Sequence, residues 1–528
     1  MESLGVMAVL ELIEPAGESG NYLKHHPPCY KPGEEAQLRR DYKRLELLAQ
    51  ALGQSRKPGE QLHSALAELP RLPHTLKALE ERTLLISELF EIKKLVHYAR
   101  LTQKLCRKLH LDKVYPFPEL DNLYALLDPD QTNSPAFALS AGFDTRLARY
   151  LSQMSDLQQE IRKEQHLLLQ AAQSADKIAH PKTEIVVSRH QKNEVKVLQN
   201  SAYYRLADEN FANLTFRLKD SPRLASLAKQ STLLKQKLSV LEEDIITKLS
   251  KKLKNFARIL NQTAALAETL DWDLAKAQFM LRYQCCLPAI SAKAQFSARQ
   301  AVNLPLKLSL ESDGRRYQPL DLGFNTAINV ITGPNMGGKT TVLKTVGQFC
   351  LLTRLAIPLP AAEAELCLFD RVWYNREAEH GENLSSFGHE IVSLKTVLEK
   401  NGKNLYLLDE IARGTNPREG EALLVAVLQY LSSRDCLTLA ATHFDKPARL
   451  EKAAQYAIRG IDAKALDKLA KAGKSSLEEQ LDLLNQLLDY KPIRLNLKIK
   501  PPRNAIPIAS ALGLPEEIIR LAEELANQ

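Results

Sequence analysis

Asn329-Val330-Ile331-Thr332-Gly333-Pro334-Asn335-Met336-Gly337-Gly338-Lys339-Thr340-Thr341 decides the fold of this chain. A short β-branched run, Asn329 to Thr332, leads into Gly333 and then Gly338-Lys339-Thr340, and a helical pattern of Val342, Leu343 and Val346 follows. The spacing is G-x-x-x-x-G-K-T between a strand and a helix. Glycines there let backbone N–H groups turn inward around phosphate oxygens, and the helix N-terminus adds partial positive charge. Lys339 is placed to reach β- and γ-phosphates, and the Thr340 hydroxyl to hold Mg²⁺. Gly333, Pro334, Asn335, Met336, Gly337, Gly338, Lys339, Thr340 and Thr341 form the candidate nucleotide-binding loop. The bland alternative is a glycine turn with a solvated lysine.

Asn404-Leu405-Tyr406-Leu407-Leu408-Asp409-Glu410 reads as a buried strand ending in two acids. A strand apolar on both faces fits a central parallel sheet, and its carboxyl end is where ligands bind in open α/β sheets. Asp409 suits a contact to Mg²⁺, and Glu410 suits orienting and deprotonating an attacking water. A third strand, Cys436-Leu437-Thr438-Leu439-Ala440-Ala441-Thr442, ends at His443, a polar residue placed to sense a γ-phosphate. A lone histidine is more often a satisfied surface or core residue, so His443 gains meaning only beside the other two motifs.

These residues together resemble the MutS mismatch-repair ATPases. Thr332 to Lys339 looks like that family's ATP loop, and Asp409-Glu410-Ile411-Ala412-Arg413-Gly414-Thr415-Asn416 resembles its Walker B segment. Ala441-Thr442-His443-Phe444 is similar to its histidine switch. Leu384-Ser385-Ser386-Phe387-Gly388-His389-Glu390 sits where the family keeps its signature loop. The resemblance implies that Ser385 crosses a dimer interface to touch the other subunit's γ-phosphate. The C-terminal stretch Ala505 to Ile519 resembles the family's last helical element, which helps dimerise it. ATP and Mg²⁺ are the implied ligands, with Glu410, His443 and Lys339 in catalytic roles and Thr340 and Asp409 at the metal.

A chain of 528 residues is expected to hold two or more domains. Apolar content of 45% and charge of 25% are those of an ordinary soluble protein. A net charge of +8 permits nucleic-acid contact without demanding it. No run of about 18 apolar residues is present, so no membrane span is expected. Glu2, Glu11 and Glu14 are wrong for a secretory signal, and a cytoplasmic location is expected. Seven cysteines without a C-x-x-C pair suit reduced thiols used for packing. His25-His26-Pro27-Pro28-Cys29 lacks a second ligand pair and reads as a loop, with no structural metal expected.

The expected fold class is multidomain α and α/β: a helical core with long lever helices, followed by a P-loop (ABC-type) ATPase domain. Residues 1–70 form an N-terminal segment of unclear role, with a Gly/Pro-rich loop from Ala16 to Gly33 and a charged helix from Glu34 to Gly53. Residues 71–299 form the helical core. In it Leu85, Leu89, Ile92, Val96 and Ala99 repeat at three and four, and a further helical run covers Asp144 to Ala175. Glu184 to Arg189 and Glu194 to Leu198 read as two strands of a basic hairpin at about 183–200, carrying Arg189, His190, Lys192 and Lys196. A hairpin touching DNA phosphates and a merely solvated strand face are equal readings of it. From Pro222 to Cys286 the pattern is helical, something near ~90 Å if continuous. By resemblance this is the family's lever, with Glu268 to Ala277 its end entering the ATPase; a coiled-coil dimerisation stem is the alternative. Residues 300–528 form the ATPase domain with its C-terminal dimerisation element. Asp462 to Tyr490 reads as amphipathic helices.

Several departures from the family weigh against mismatch recognition. Phe117-Pro118-Glu119 matches the mismatch-reading Phe-x-Glu only by coincidence, and the reader, connector and large clamp are expected to be missing or reduced. A C-terminal nuclease-like module is also expected to be absent. Val302-Asn303-Leu304-Pro305 replaces a His-Pro, Pro501-Pro502-Arg503 replaces a Gly-x-Ser, and Gly388-His389 replaces bulkier residues. The implied activity is a dimeric Mg²⁺-ATPase, homodimer or heterodimer with a paralogue, whose cycle moves lever helices on DNA. The alternative is a MutS-like ATPase that remodels a protein client, such as a cobalamin-dependent aminomutase.

Overall fold

A computed structural model describes residues 2–178, 180–333, 338–375, 386–412, 415–444, 446–460, 487, 489–495, 505–511 and 514–526. The chain divides into two compact units, one of residues 1–67, 103–116 and 266–528, the other of 68–102 and 117–265. The boundary expected near residue 300 therefore lies elsewhere: the unit holding the glycine loop also takes in the N-terminal segment and residues 266–299.

The N-terminal segment is helical, with α1 (Val6–Glu11), α2 (Glu18–His25), α3 (Glu35–Gln54) and α4 (Arg56–Ala67). The loop expected from Ala16 to Gly33 thus contains a two-turn helix.

The helical unit contains α5 (Pro73–Glu81), most of α6 (Ile86–Lys108), α7 (Asp121–Leu127) and α8 (Thr145–Asp176). Asp144 starts α8 by accepting the Arg146 N–H at 2.9 Å. Ser221 starts α10 (Pro222–Lys254) in the same way, accepting from Leu224 at 3.0 Å with Pro222 at the first helical position. α8 and α10 run antiparallel: Leu147 packs on Leu241 and Ile245 at one end, and Ser221 donates to Glu164 at the other. At 1.5 Å per residue each is about 50 Å long. Helix α11 (Ala257–Arg282) follows, so the long helix expected from Pro222 to Cys286 is two helices with a break at Asn255–Phe256. Phe117 is buried.

The expected hairpin at 183–200 is corrected. Its first strand stands as β1 (Glu184–Ser188), but Lys192–Gln199 is a helix, α9. The partner of β1 is β3 (Asn213–Leu218), which also pairs with β2 (Tyr204–Glu209), giving the order β1-β3-β2. Val195 and Leu198, three apart, pack on the Tyr204 and Phe216 side of this sheet. The helical period satisfies that burial; the strand period would have sent Leu198 and Val195 to opposite faces.

In the other unit the strands are β4 (Ala289–Ile290), β5 (Phe296–Ala301), β6 (Leu320–Phe324), β7 (Ile328–Thr332), β8 (Glu363–Leu366), β9 (Arg371–Tyr374), β10 (Asn404–Asp409), β11 (Cys436–Ala441), β12 (Ala453–Gly460) and β13 (Asp489–Arg494). Between them run α12 (Leu304–Ser312), α13 (Lys339–Arg354), α14 (Ser386–Leu398) and α15 (Pro417–Leu431). The main sheet has the order β13-β12-β7-β11-β10-β9, parallel except for the edge strand β13. Alternate residues face two cores. Ile331, Leu405, Leu407, Leu437 and Leu439 pack with α13, while Val330, Tyr406, Leu408 and Ala440 pack with Leu424 and Leu428 of α15. Both faces are covered, so these strands read as unbroken apolar runs. A smaller sheet, β4-β8-β5-β6, adds Phe296, Leu322 and Phe324 to the α13 core. Leu4, Val6, Val9, Leu10 and Ile13 enter that same core.

Most of the stretch expected to be amphipathic helices, Asp462 to Tyr490, falls outside the described residues; its end, Asp489 and Tyr490, is strand β13. Cys106, Cys285, Cys350, Cys367 and Cys436 are buried thiols, and Cys29 is exposed. Among the described residues no helix is long and apolar enough to cross a membrane.

Candidate functional site

The sheet register brings the three sequence motifs to one edge. Asp409 is level with Ala441, and Ala441 with Ile331, so the carboxyl ends of β10, β11 and β7 lie side by side. The chain leaves β7 through Gly333 and re-enters helix at α13, whose N-cap is Gly338 at φ +90°. Only glycine holds that left-handed conformation without strain. An added Cβ there would also stand 3.0 Å from the Tyr490 ring. Gly338, as N-cap, has no side chain to cap the first turn of α13.

Lys339 opens α13 and is 4% exposed. Its Nζ donates to the Gly333 carbonyl at 2.7 Å and lies 3.7 Å from Glu410 Oε1. Burial pushes its pKa below the ordinary lysine value, and Glu410 and Asp409 oppose that. Thr340, also in the first turn, is exposed, and Thr341 is half-buried. Pro334, Asn335, Met336, Gly337 and Ser385 lie outside the described residues.

The turn after β10 is pinned at several points. Glu410 has φ +50° and Ala412 φ +64°, a region that non-glycine residues keep only when their surroundings hold them. The Glu410 N–H donates to the Ala441 carbonyl at 2.9 Å. Asp409 donates its N–H to Asn375 Oδ1 at 2.5 Å and accepts from Asn375 Nδ2 at 2.8 Å through its carbonyl. The Tyr374 hydroxyl donates to Asp409 Oδ2 at 3.2 Å. Glu390, one turn into α14, accepts from Asn375 Nδ2 at 2.8 Å and from the Ala412 N–H at 2.9 Å. Sequence reasoning missed Tyr374 and Asn375. For Glu390, the last residue of the signature stretch, the acid at the start of a helix was the available signal.

His443 follows β11 in the exposed class, with its ring 4.6 Å from that of Phe444. Its neighbour Thr442 is buried, donates its N–H to the Ile331 carbonyl at 3.1 Å and accepts from the Phe444 N–H. Lys339, Asp409 and Glu410 therefore lie together, with Thr340 next after Lys339 in α13 and His443 just past the adjacent strand end.

The donor set fits a nucleoside triphosphate with Mg²⁺. A buried ammonium and helix N-terminal N–H groups suit phosphate oxygens, and a hydroxyl with an aspartate suits a hard divalent cation. Asn303, at the position that departs from the family pattern, caps α12 by accepting from the Leu306 N–H at 3.3 Å and donates to Thr345 Oγ1 at 3.4 Å.

Comparison with known proteins agrees with this geometry. Residues 329–528 match the family described as MutS domain V. The chain is 33% identical over 289 residues to the endonuclease MutS2 of Halothermothrix orenii, covering 54% of this chain and 33% of the relative. Against the endonuclease MutS2 of Carboxydothermus hydrogenoformans the identity is 33% over 304 residues, 55% of this chain and 35% of the relative. That of Lactococcus lactis is 30% identical over 287 residues, 53% and 34%. The matched stretch spans about a third of the length of these relatives.

Proposed function

We propose that this chain, which belongs to the MutS family, is an Mg²⁺-dependent ATP hydrolase whose nucleotide cycle moves its helical unit on DNA. The observation that carries the reading is Lys339 Nζ held 3.7 Å from Glu410 Oε1 where β7 and β10 end. An ammonium and a carboxylate at one sheet edge separate two tasks. Lys339 holds β- and γ-phosphate oxygens while Glu410 orients water and takes its proton. The first-turn N–H groups of α13 share the phosphate charge. Thr340 and Asp409 hold the metal, and Mg²⁺ when bound neutralises phosphate charge. Gly333 to Gly338 and Thr341 form the rest of the cradle, and His443 couples hydrolysis to the interface.

A dimer completes the site, with Ser385 reaching the nucleotide of a second copy or of a paralogue. An exposed apolar stripe on the helix Glu516–Ala526, made of Ile518, Leu521 and Leu525, supports association. α8, α10 and α11 supply the stiff arms, and exposed Lys192 and Lys196 of α9 lie among the residues offered to DNA phosphates. The Arg189 charge is already paired with Glu209 at 3.0 Å, which leaves the lysines as the stronger candidates.

The test is the ATPase rate of the purified protein with and without duplex, looped and four-way-junction DNA, at low and physiological salt. Salt-sensitive stimulation is expected, because phosphate contacts release counterions. Lys339→Ala is expected to lose nucleotide binding; Glu410→Ala is expected to keep binding and stall turnover. An intact ATPase indifferent to every DNA would reject the DNA half of the proposal and favour a protein client.

A further inference from the structure

Glu390 divides its carboxylate between two elements. Oε1 accepts from Asn375 Nδ2 at 2.8 Å, and Oε2 accepts from the Ala412 N–H at 2.9 Å. Asn375 is committed in turn: its Oδ1 takes the Asp409 N–H, and its Nδ2 serves both the Asp409 carbonyl and Glu390. The amide cannot flip without setting its NH₂ against the Asp409 N–H. Asp409 and Ala412 bracket Glu410 and Ile411, and Glu410 and Ala412 both sit at positive φ. One carboxylate–amide pair therefore grips both ends of the turn that carries Glu410.

We infer that Glu390 and Asn375 are positioning residues for Glu410, and that α14 sets the reach of that carboxylate through them. The inference rests on the reading of Glu410 as the group that activates water. α14 begins at Ser386, the residue after Ser385. A displacement at the start of α14 moves Glu390, and the Ala412 and Asn375 bonds pass that motion to the Glu410 turn. On the dimer reading above, the wiring gives the start of α14 a direct mechanical hold on the water-activating group. A displacement of about 1 Å at such a group costs about 10²-fold in rate.

The experiment uses the full chain and compares wild type, E390Q, E390A, N375A and N375A/E390A. Affinity for ATP and ADP is read by calorimetry with Mg²⁺, and hydrolysis by single turnover. E390Q preserves side-chain volume but sets an amide N–H against a donor, either Asn375 Nδ2 or the Ala412 N–H. Nucleotide affinity is expected to stay at the wild-type value in all variants, which also shows that they fold. Single-turnover hydrolysis is expected to fall about 10²-fold in E390Q, E390A and N375A. The double variant is expected to fall no further than the weaker single, because the two act as one unit. Wild-type hydrolysis in E390Q, or losses that multiply in the double variant, would overturn the inference while Glu410 keeps its role. Equal hydrolysis in wild type and E410A would overturn the role of Glu410 itself, and the inference with it.

Discussion

The side-chain amide of Gln348 donates to the carbonyl of Leu4 at 3.0 Å, fastening the helix behind the glycine loop to the first residues of the chain. Gln348 is fully buried there, and Leu4, Val6, Val9, Leu10 and Ile13 share the core of Val346 and Phe349. The N-terminal segment is thus a structural part of the unit that holds the glycine loop. Gly347 lies at the same contact: a Cβ on it would stand 2.6 Å from Leu407 Cδ1 and 2.9 Å from Leu4 Cδ1.

Leu4→Ala is therefore expected to cost about 2–5 kcal/mol, the range for a large aliphatic lost from a packed core. Gly347→Val is expected to lower stability by overpacking, about 1–3 kcal/mol. Urea denaturation followed by circular dichroism reads both. An unchanged midpoint for Leu4→Ala would show that the N-terminal segment is not part of the cooperative core.

Asp271 anchors the next stretch. It is buried, and its carboxylate accepts the N–H groups of Ala16 at 2.8 Å, Gly17 at 3.0 Å and Gly20 at 2.8 Å. Burial still pushes its pKa above the ordinary aspartate value, which the three N–H groups only partly offset. Asp271→Ala leaves those donors without their acceptor, at about 1–3 kcal/mol for a buried donor. A total loss above about 3 kcal/mol is expected by denaturant titration, with faster proteolysis near Glu18–His25. A loss below about 1 kcal/mol would mean that the helix there is held by other contacts.

These long-range ties explain what the sequence could and could not disclose. The glycine loop and the acid-ended strand were legible because spacing and apolar runs are local properties, and the fold brings Lys339 Nζ to 3.7 Å from Glu410 Oε1. Residues 1–33 were not legible, since Gln348 and Asp271, their partners, lie more than 240 residues away. Val195 and Leu198 were misread for a physical reason: Glu194-Val195-Lys196-Val197-Leu198 alternates like a strand, yet its apolar residues also satisfy a helical face. The neighbour that settles the matter, Phe216, comes 18 residues later than Leu198 and pairs its own strand with β1. Glu390 was legible only as part of the signature stretch, because its bonds depend on where Asn375 stands.

Lys93 and Asp128 form an ion pair at 3.0 Å with both side chains buried in the helical unit. Burial alone would raise the Asp128 pKa. The Thr132 hydroxyl, Lys93 and the Asn133 N–H outweigh it and hold it at about 2. A folded pKa below the unfolded one, about 3.9, means the unfolded state binds the proton more readily. The stabilisation, roughly 2 kcal/mol, is therefore full above pH about 4 and is lost as pH falls towards 2. Asp128→Asn is expected to unfold more easily at neutral pH, since it leaves Lys93 buried without its counter-charge. It is also expected to show a shallower loss of stability between pH 4 and 2, measured by urea midpoints across that window. An acid limb as steep as wild type would place the titrating group elsewhere.

The helix Glu516–Ala526 gives the last prediction. Ile518, Leu521 and Leu525 are 49%, 54% and 69% exposed and fall on one helical face at spacings of three and four. Leu514 precedes them and is also exposed. Such a stripe is unfavourable in water and gains about 25 cal/mol for each Å² of apolar surface that association buries. If a second copy covers it, a carboxylate in the stripe carries an uncompensated charge into the seam. Leu521→Asp and Leu525→Asp are then expected to convert a dimer to a monomer in light scattering at micromolar concentration. On the proposal that Ser385 completes the site from a second copy, ATP turnover is expected to fall with dimer content. Nucleotide affinity of the separated chains should change less, since Lys339, Thr340 and Asp409 belong to one chain. An unchanged mass in both variants would reject this helix as the dimer seam, and turnover that ignores the mass would reject the shared site.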